Sequence, residues 1–329
     1  MERRYLAAII VVLCALSLFA GVFVPKTRQV QKPVVKANSV FEQVDTTGDR
    51  IALLNIEGAI SADALSSAWS EGFSLDSFLA SLDRVRKDKK AKAVVIRINS
   101  PGGTVAASQD IYDAIMILRK EKPVVVSMAD VTASGGYYIA SAADRIVAQR
   151  GTMTGSIGVI FNFTDVAKLA DKIGVTSNVI KSGKYKDSGS MYRKMTDDEK
   201  NLFQSSIDEA YKQFVGDITK ARVERKDNYE VQKRELSAET LKKYADGRIF
   251  LGSEAYELGF VDIIGSQDYA RIIASDMAGY KTPLPFVSYN KLSGWRSILM
   301  NIEGMFKAPV QGVLPFSFSH NSRPLMIWE

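Results

Sequence analysis

"KPVVVSMADVTASGGYYIA", residues 122–140, is the stretch whose reading decides the fold. The β-branched run after Pro123 is a strand, and the small residues from Ser134 onward open a helix. Strand, sharp turn and helix form the repeating step of an α/β protein. Ser134 stands at the turn with two roles open to it. Serine is a favoured N-cap, because its hydroxyl accepts a hydrogen bond from an orphan N–H one turn inside the helix. It is also a nucleophile when a base is near, and a hydroxyl here lies beside the positive end of the helix dipole. Taken alone, the stretch favours the cap.

The same alternation continues outward. "RIALLNIEGAI" (50–60) and "AKAVVIRINS" (91–100) are β-branched runs that end in turn residues. Between them Ser74 is placed to cap a helix with Leu75, Phe78, Leu79, Leu82 and Val85 on one apolar face. After "PGG", Ile111, Ala114, Ile115 and Leu118 recur at helical spacing, and "DRIVAQ" (144–149) is a further strand. Strands alternating with helices imply right-handed crossovers and a mostly parallel α/β core. Later, "TDDEKNLFQSSIDEAYKQFVGDITKA" (196–221) opens with a capping box, Thr196 with Glu199. It sets Phe203, Ile207, Ala210, Tyr211, Phe214 and Ile218 on one face of a long helix, packed on the core or on a neighbouring subunit.

With 329 residues, 46% of them hydrophobic, the chain can bury one sizeable core or two modest ones. The net charge is +6, and the densest basic run, Arg84 to Lys92, has no interleaved aromatic residue. It reads as a solvated helix end, so no nucleic-acid partner is expected. Cys14 and His320 are the only residues of their types. That rules out a disulfide within the chain and argues against zinc sites built on Cys or His and against Cys/His catalysis. No metal and no cofactor are expected. A Ser-His-Asp triad would have to draw on His320, close to the C-terminus, so a hydrolase built on this chain uses another base.

Tyr5 to Val24 is a run of twenty residues without a charge, about the length that crosses a bilayer. Residues 1–28 are therefore read as an uncleaved single-pass anchor, and 29–48 as a polar linker. Lys26, Arg28, Lys32 and Lys36 compete with Arg3 and Arg4, so charge counting leaves the orientation open. The globular part is assigned to 49–285. The tail, 286–329, is too interrupted to span a membrane and reads as a peripheral or partner-contacting segment.

Three loops fall at strand ends, where ligands gather in open α/β sheets. In "NSPGG" (99–103) paired glycines let backbone approach a ligand and leave amides free to donate. In "TASGG" (132–136) the N–H of Gly135 can face the same developing oxyanion as the N–H of Gly103. In "KSGKYKDSGS" (181–190) a lysine kept uncharged by desolvation is the natural base for a serine. Spacing alone leaves Lys181, Lys184 and Lys186 equal. The aromatic pair in "FNF" (161–163) is either core or substrate-facing surface, and core packing is the commoner role.

"INSPGG", "ASGGYYIASAADRIVA", "TGSIGVI", "SGKYKD" and "GRIFLGSEAYELGFVD", in this order from about Ile51 to Ile264, resemble the signal peptide peptidase A family of membrane-bound serine proteases. The resemblance implies a Clp-protease/crotonase-like spiral of ββα units. It implies Ser134 as nucleophile, Lys186 as general base, Ser156 as the residue that orients the lysine, and the Gly103 and Gly135 amides as oxyanion hole. One "TASGG" and one "SGKYKD" correspond to the short, single-unit form, for which a homo-oligomer with sites assembled between protomers is expected. It further implies a catalytic domain on the outer face of the cell membrane that cleaves remnant signal peptides and other apolar peptides. A Clp-type protease would place a histidine soon after its serine, and here none occurs before His320. The alternative is an inactive, membrane-anchored scaffold of the same fold that binds apolar peptides.

Overall fold

A computed structural model describes residues 48–62, 73–227, 229–231 and 234–290. The expected anchor (1–28) and most of the linker (29–48) and tail (286–329) lie outside the described residues. Among the described residues no helix is long and apolar enough to cross a membrane.

The chain runs β1 (Arg50–Glu57), α1 (Leu75–Lys87), β2 (Ala91–Ser100), α2 (Val105–Leu118), β3 (Val124–Ala133), α3 (Gly135–Ser141), β4 (Arg145–Ala148) and β5 (Met153–Gly155). There follow α4 (Ala167–Lys172), α5 (Asp197–Ile218) with a π-helical turn over Thr219–Glu224, and α6 (Ala238–Tyr244). Then come β6 (Ile249–Leu251), α7 (Gly252–Glu257), β7 (Ile263–Ile264), α8 (Gln267–Met277) and β8 (Phe286–Ser288). The strands form one eight-stranded sheet in the order β6-β5-β3-β2-β1-β8, with β4 beside β3 and β7 beside β4. All pairings are parallel except β5 with β6. This is the mixed α/β fold with a parallel sheet that the alternation predicts. The expected boundary of the globular part at residue 285 falls just before β8, which pairs with β1 through Ile51 and Phe286.

Both faces of the sheet are covered, which is why its strands read as nearly continuous apolar runs. Leu54, Ile56, Val94, Ile96, Ile98 and Val126 turn to the face packed by α1, α2 and α3. Their alternates Ile51, Ala93, Val95, Val125 and Val147 meet Ala270, Ile273 and Ala274 of α8 on the other. α1 is capped as its sequence suggests: the Ser77 amide donates to Ser74 Oγ, and Leu75, Phe78, Leu82 and Val85 are buried.

β3 divides its partners. Val125–Ser127 pair with β4, whereas Val131–Ala133 pair with β5. The register against β2 shifts between Ile98 and Ser100. The far end of β3 is thereby held between β2 and β5, and the carboxyl ends of these three strands converge.

α5 packs on the core along only part of its length. Its capping box forms, with Thr196 Oγ1 accepting from the Glu199 amide and the Glu199 carboxylate accepting from the Thr196 amide. Of its predicted apolar face, Phe214 and Ile218 are buried, but Phe203, Ile207, Ala210 and Tyr211 are only half-buried. The C-terminal half of the helix packs on the core, while its N-terminal half stands away from it.

Candidate active site

Four parallel strand ends build the site. β1 leads to Ile60, β2 to Gly103, β3 to Ser134 and β5 to Ser156. Ile60 and Gly103 form an isolated parallel bridge, with the Ile60 amide donating to Gly102 O (3.0 Å) and the Thr104 amide to Ile60 O (2.8 Å). A side chain at 103 cannot be accommodated, since its Cβ would lie 1.8 Å from Ile60 O.

Ser134 occupies the N-cap position of α3 but does not cap it: its side chain accepts no hydrogen bond from the helix. The cap expectation is corrected by the backbone. With φ 52° and ψ −120°, Ser134 sits in a region that residues with a Cβ rarely enter. Sharp strand–turn–helix geometry at a serine is the logic of a nucleophile elbow. Ser156 is the second non-glycine residue with positive φ, 51°, among the described residues. Its amide donates to Arg248 O at 2.7 Å.

Gly103 and Gly135 lie side by side. A Cβ built on Gly135 would stand 3.2 Å from the Gly103 nitrogen and 2.4 Å from Ser108 Oγ. The Gly135 amide opens α3, so no preceding helical carbonyl can accept from it. Among the described residues neither amide has a backbone acceptor. Two amides of this kind beside a strained serine can stabilise a developing oxyanion.

These groups line a cavity of about 850 Å³. Gly103, Ser134, Gly135 and Ser156 contribute to one wall, and Ile60, Val105, Tyr138, Val159, Ile160 and Phe214 make much of the rest apolar. The core role expected for the "FNF" aromatics is corrected here. Phe161 is 51% exposed and lines the cavity, and Phe163, 41% exposed, packs on Phe203 of α5 with ring centroids 4.5 Å apart. Both rings belong to a segment that leaves the core after Ile157. Between residues 158 and 198, Ala170 is the only buried side chain.

None of the three candidate lysines lines this cavity. Lys181 Nζ donates to Asp187 Oδ1 and to Lys184 O, and Lys184 Nζ pairs with Asp198. Lys186 is exposed in a turn, its amide donating to Gly183 O at 3.3 Å, and it is not among the residues that line the cavity. The fold therefore gathers Ser134, Gly103, Gly135 and Ser156, and leaves all three lysines outside that wall.

Some site residues escaped the sequence reading. Ser108, buried on α2, has its hydroxyl against Gly135. Its signal was its place one turn into the helix that follows "PGG". Phe214 read as part of an apolar helix face and Tyr138 was given no role, and only the tertiary arrangement reveals that each faces the cavity.

A strained serine flanked by two unpaired amides in an apolar cleft, at the carboxyl ends of a parallel sheet, marks a hydrolytic class of α/β protein. Comparison with known proteins narrows the class. The description "Peptidase family S49" matches residues 116–281. A candidate protease of Synechocystis sp. is 39% identical over 71% of this chain and 76% of its own length. A candidate signal peptide peptidase SppA of Enterococcus faecium is 33% identical over 71% of this chain and 66% of its own. The chloroplastic serine protease SPPA of Arabidopsis thaliana is 36% identical over 70% of this chain but only 32% of its own, longer chain. The chain belongs to peptidase family S49, among the signal peptide peptidase A relatives, and is a peptidase.

Proposed function

We propose that the protein is a membrane-anchored serine endopeptidase in which Ser134 is the nucleophile and Lys186 the general base. The observation that carries this reading is the backbone of Ser134, held at φ 52° and ψ −120° with its hydroxyl released from capping, beside the amides of Gly103 and Gly135. In the proposed reaction the unprotonated amine of Lys186 takes the Ser134 proton as Oγ attacks the scissile carbonyl. The carbonyl oxygen, now negative, accepts from the two glycine amides. The lysinium returns the proton to the leaving amine, and the acyl-enzyme ester is then cleaved by water with Lys186 again as base. Ser156 orients the lysine. The strand and helix order is read as a Clp-protease/crotonase-like spiral.

The apolar walls of the cavity suit an apolar peptide, and remnant signal peptides meet a membrane-tethered enzyme at high local concentration. Residues 1–28 supply that tether, with the catalytic domain on the extracytoplasmic side. No cofactor takes part. A homo-oligomer completes the site: the segment 158–198 is almost wholly exposed in the single protomer, with Ile173 67% and Ile180 102% exposed. Surface of that kind is what a partner subunit covers, and it carries Lys186 away from the protomer's own cavity wall.

The test is complementation. Ser134→Ala and Lys186→Ala proteins are each expected to be inactive on an apolar peptide while remaining folded. Mixed oligomers of the two are expected to regain activity. Persistent inactivity in verified mixed oligomers argues against shared sites, full activity of Ser134→Ala overturns the choice of nucleophile, and absence of cleavage by the unsubstituted protein supports the inactive-scaffold alternative. Lys181→Ala and Lys184→Ala should keep most activity, and losses equal to that of Lys186→Ala would overturn the choice of base.

A further inference from the structure

The turn that carries Lys186 is fastened to the N-terminus of α5 by an ionic clasp with one residue at its centre. Arg193 donates through Nε to Asp187 Oδ2 (2.9 Å) and through Nη2 to Asp187 O (3.0 Å). The same guanidinium reaches Glu199 Oε2 through Nη1 (2.9 Å) and Glu199 Oε1 through Nη2 (2.5 Å). Asp187, the residue after Lys186, is thereby held by both its side chain and its carbonyl. Glu199 is itself fixed, since it closes the capping box of α5 and is nearly buried, at 2% exposure. A planar guanidinium can engage two carboxylates in defined orientations, which the single ammonium of lysine cannot do.

An apolar contact secures the same turn from its other side. Gly189, at φ +81°, lies so close to Phe163 that a Cβ there would come within 2.6 Å of the ring. Phe163 in turn packs on Phe203 of α5. The peptide units from Asp187 to Gly189 are thus held at two points on one helix, although the surrounding segment has almost no buried side chains of its own.

We infer that Arg193 is a positioning residue: by clasping Asp187 to Glu199 it fixes the direction in which the adjoining Lys186 side chain leaves the turn. The inference rests on the reading of Lys186 as general base. Its physical reason is the cost of misplacement, since a displacement of about 1 Å in a catalytic group can lower a rate roughly a hundredfold. A turn with almost no buried side chains of its own holds such a tolerance only through contacts of this kind.

The experiment compares Arg193→Gln, Arg193→Lys, Glu199→Gln and Lys186→Ala in the full-length oligomer. Peptide cleavage is resolved into kcat and KM, alongside hydrogen exchange of residues 183–194. Arg193→Gln is expected to lower kcat tenfold or more with KM within about twofold, and to speed exchange in 183–194 while the β1–β3 core keeps its protection. Glu199→Gln should give a smaller loss of the same kind, and Arg193→Lys should recover only part of the loss. Unchanged kcat in Arg193→Gln overturns the inference, as does a loss that appears only with disassembly or global unfolding. If Lys186→Ala remains active while Arg193→Gln does not, the base assignment fails and the positioning role with it. If Lys186→Ala is inactive and Arg193→Gln is fully active, the base assignment stands and only the clasp fails.

Discussion

The amide of Ser134 donates to the carbonyl of Gly155 at 2.9 Å, so the turn carrying one positive-φ serine hangs directly on the turn carrying the other, Ser156. Gly155 can take part only because it has no side chain. Its φ is +84°, and a Cβ would lie 2.5 Å from the ring of Phe250 and 2.9 Å from Arg248 O. Gly155→Ala is therefore expected to shift both serines together. Cleavage should fall by at least tenfold and stability by about 1–3 kcal/mol, read by peptide hydrolysis and denaturant unfolding.

The backbone of Ser134 yields a stability prediction separable from chemistry. Glycine enters the positive-φ region without the steric cost that a Cβ carries. Ser134→Gly is expected to be inactive yet more stable than Ser134→Ala by about 1 kcal/mol, despite the greater freedom of glycine in the unfolded chain. Unfolding curves of the two inactive proteins check it, and a more stable alanine variant would contradict the strained backbone.

The proposed oxyanion role of the Gly103 and Gly135 amides can be tested through Ser108, whose hydroxyl lies against Gly135. A Cβ at Gly135 meets Ser108 Oγ at 2.4 Å, ahead of the Gly103 nitrogen at 3.2 Å. Gly135→Ala should lower kcat by roughly tenfold to a thousandfold. The double variant Gly135→Ala/Ser108→Ala should regain part of that loss, because the nearest clash is with a hydroxyl that the second change removes. Gly103→Ala has no such remedy, since its clash is with backbone at Ile60.

Much of this architecture was legible in the chain. Buried strands announced themselves as β-branched runs because both faces of the sheet are covered, and the caps at Ser74 and Thr196 follow from local hydrogen bonding. Ser134 was misleading for a physical reason: its local sequence fits an N-cap, whereas its φ is set by tertiary contacts with β5 and the Gly102–Gly103 turn. The choice among Lys181, Lys184 and Lys186 was equally hidden from spacing, and none of the three lines the cavity beside Ser134. Phe161 and Phe163 looked like core, yet core needs an opposing layer, and the segment after Ile157 has little packed against it.

A buried ion pair anchors the chain after α5. Arg222 donates twice to Asp262, at 2.8 and 2.7 Å, and neither side chain has exposure to solvent. Asp262 also accepts from the amides of Ile146 and Arg234. Removing one partner leaves the other charge buried and unpaired, so Asp262→Ala should cost about 3–5 kcal/mol in denaturant unfolding. Replacing Arg222 and Asp262 together by apolar residues of similar volume should cost less than the single change.

The clasp at Arg193 predicts how the turn responds to acid. Hydrogen bonding to Arg193, and then to Lys181, holds the Asp187 carboxyl well below its ordinary value of 3.8. Arg193, followed by the Thr196 amide, does the same for Glu199 against 4.5. Carboxylates with depressed folded-state values add stability that is fully present above their unfolded values and is lost as the pH falls through the folded ones. The stability difference between wild type and Arg193→Gln should therefore be constant from neutral pH to about pH 5, and should shrink only in stronger acid. Hydrogen exchange of residues 183–194 across that range reads it directly. A difference that does not shrink in stronger acid would mean that Asp187 and Glu199 titrate near their ordinary values and that the clasp is loose in solution.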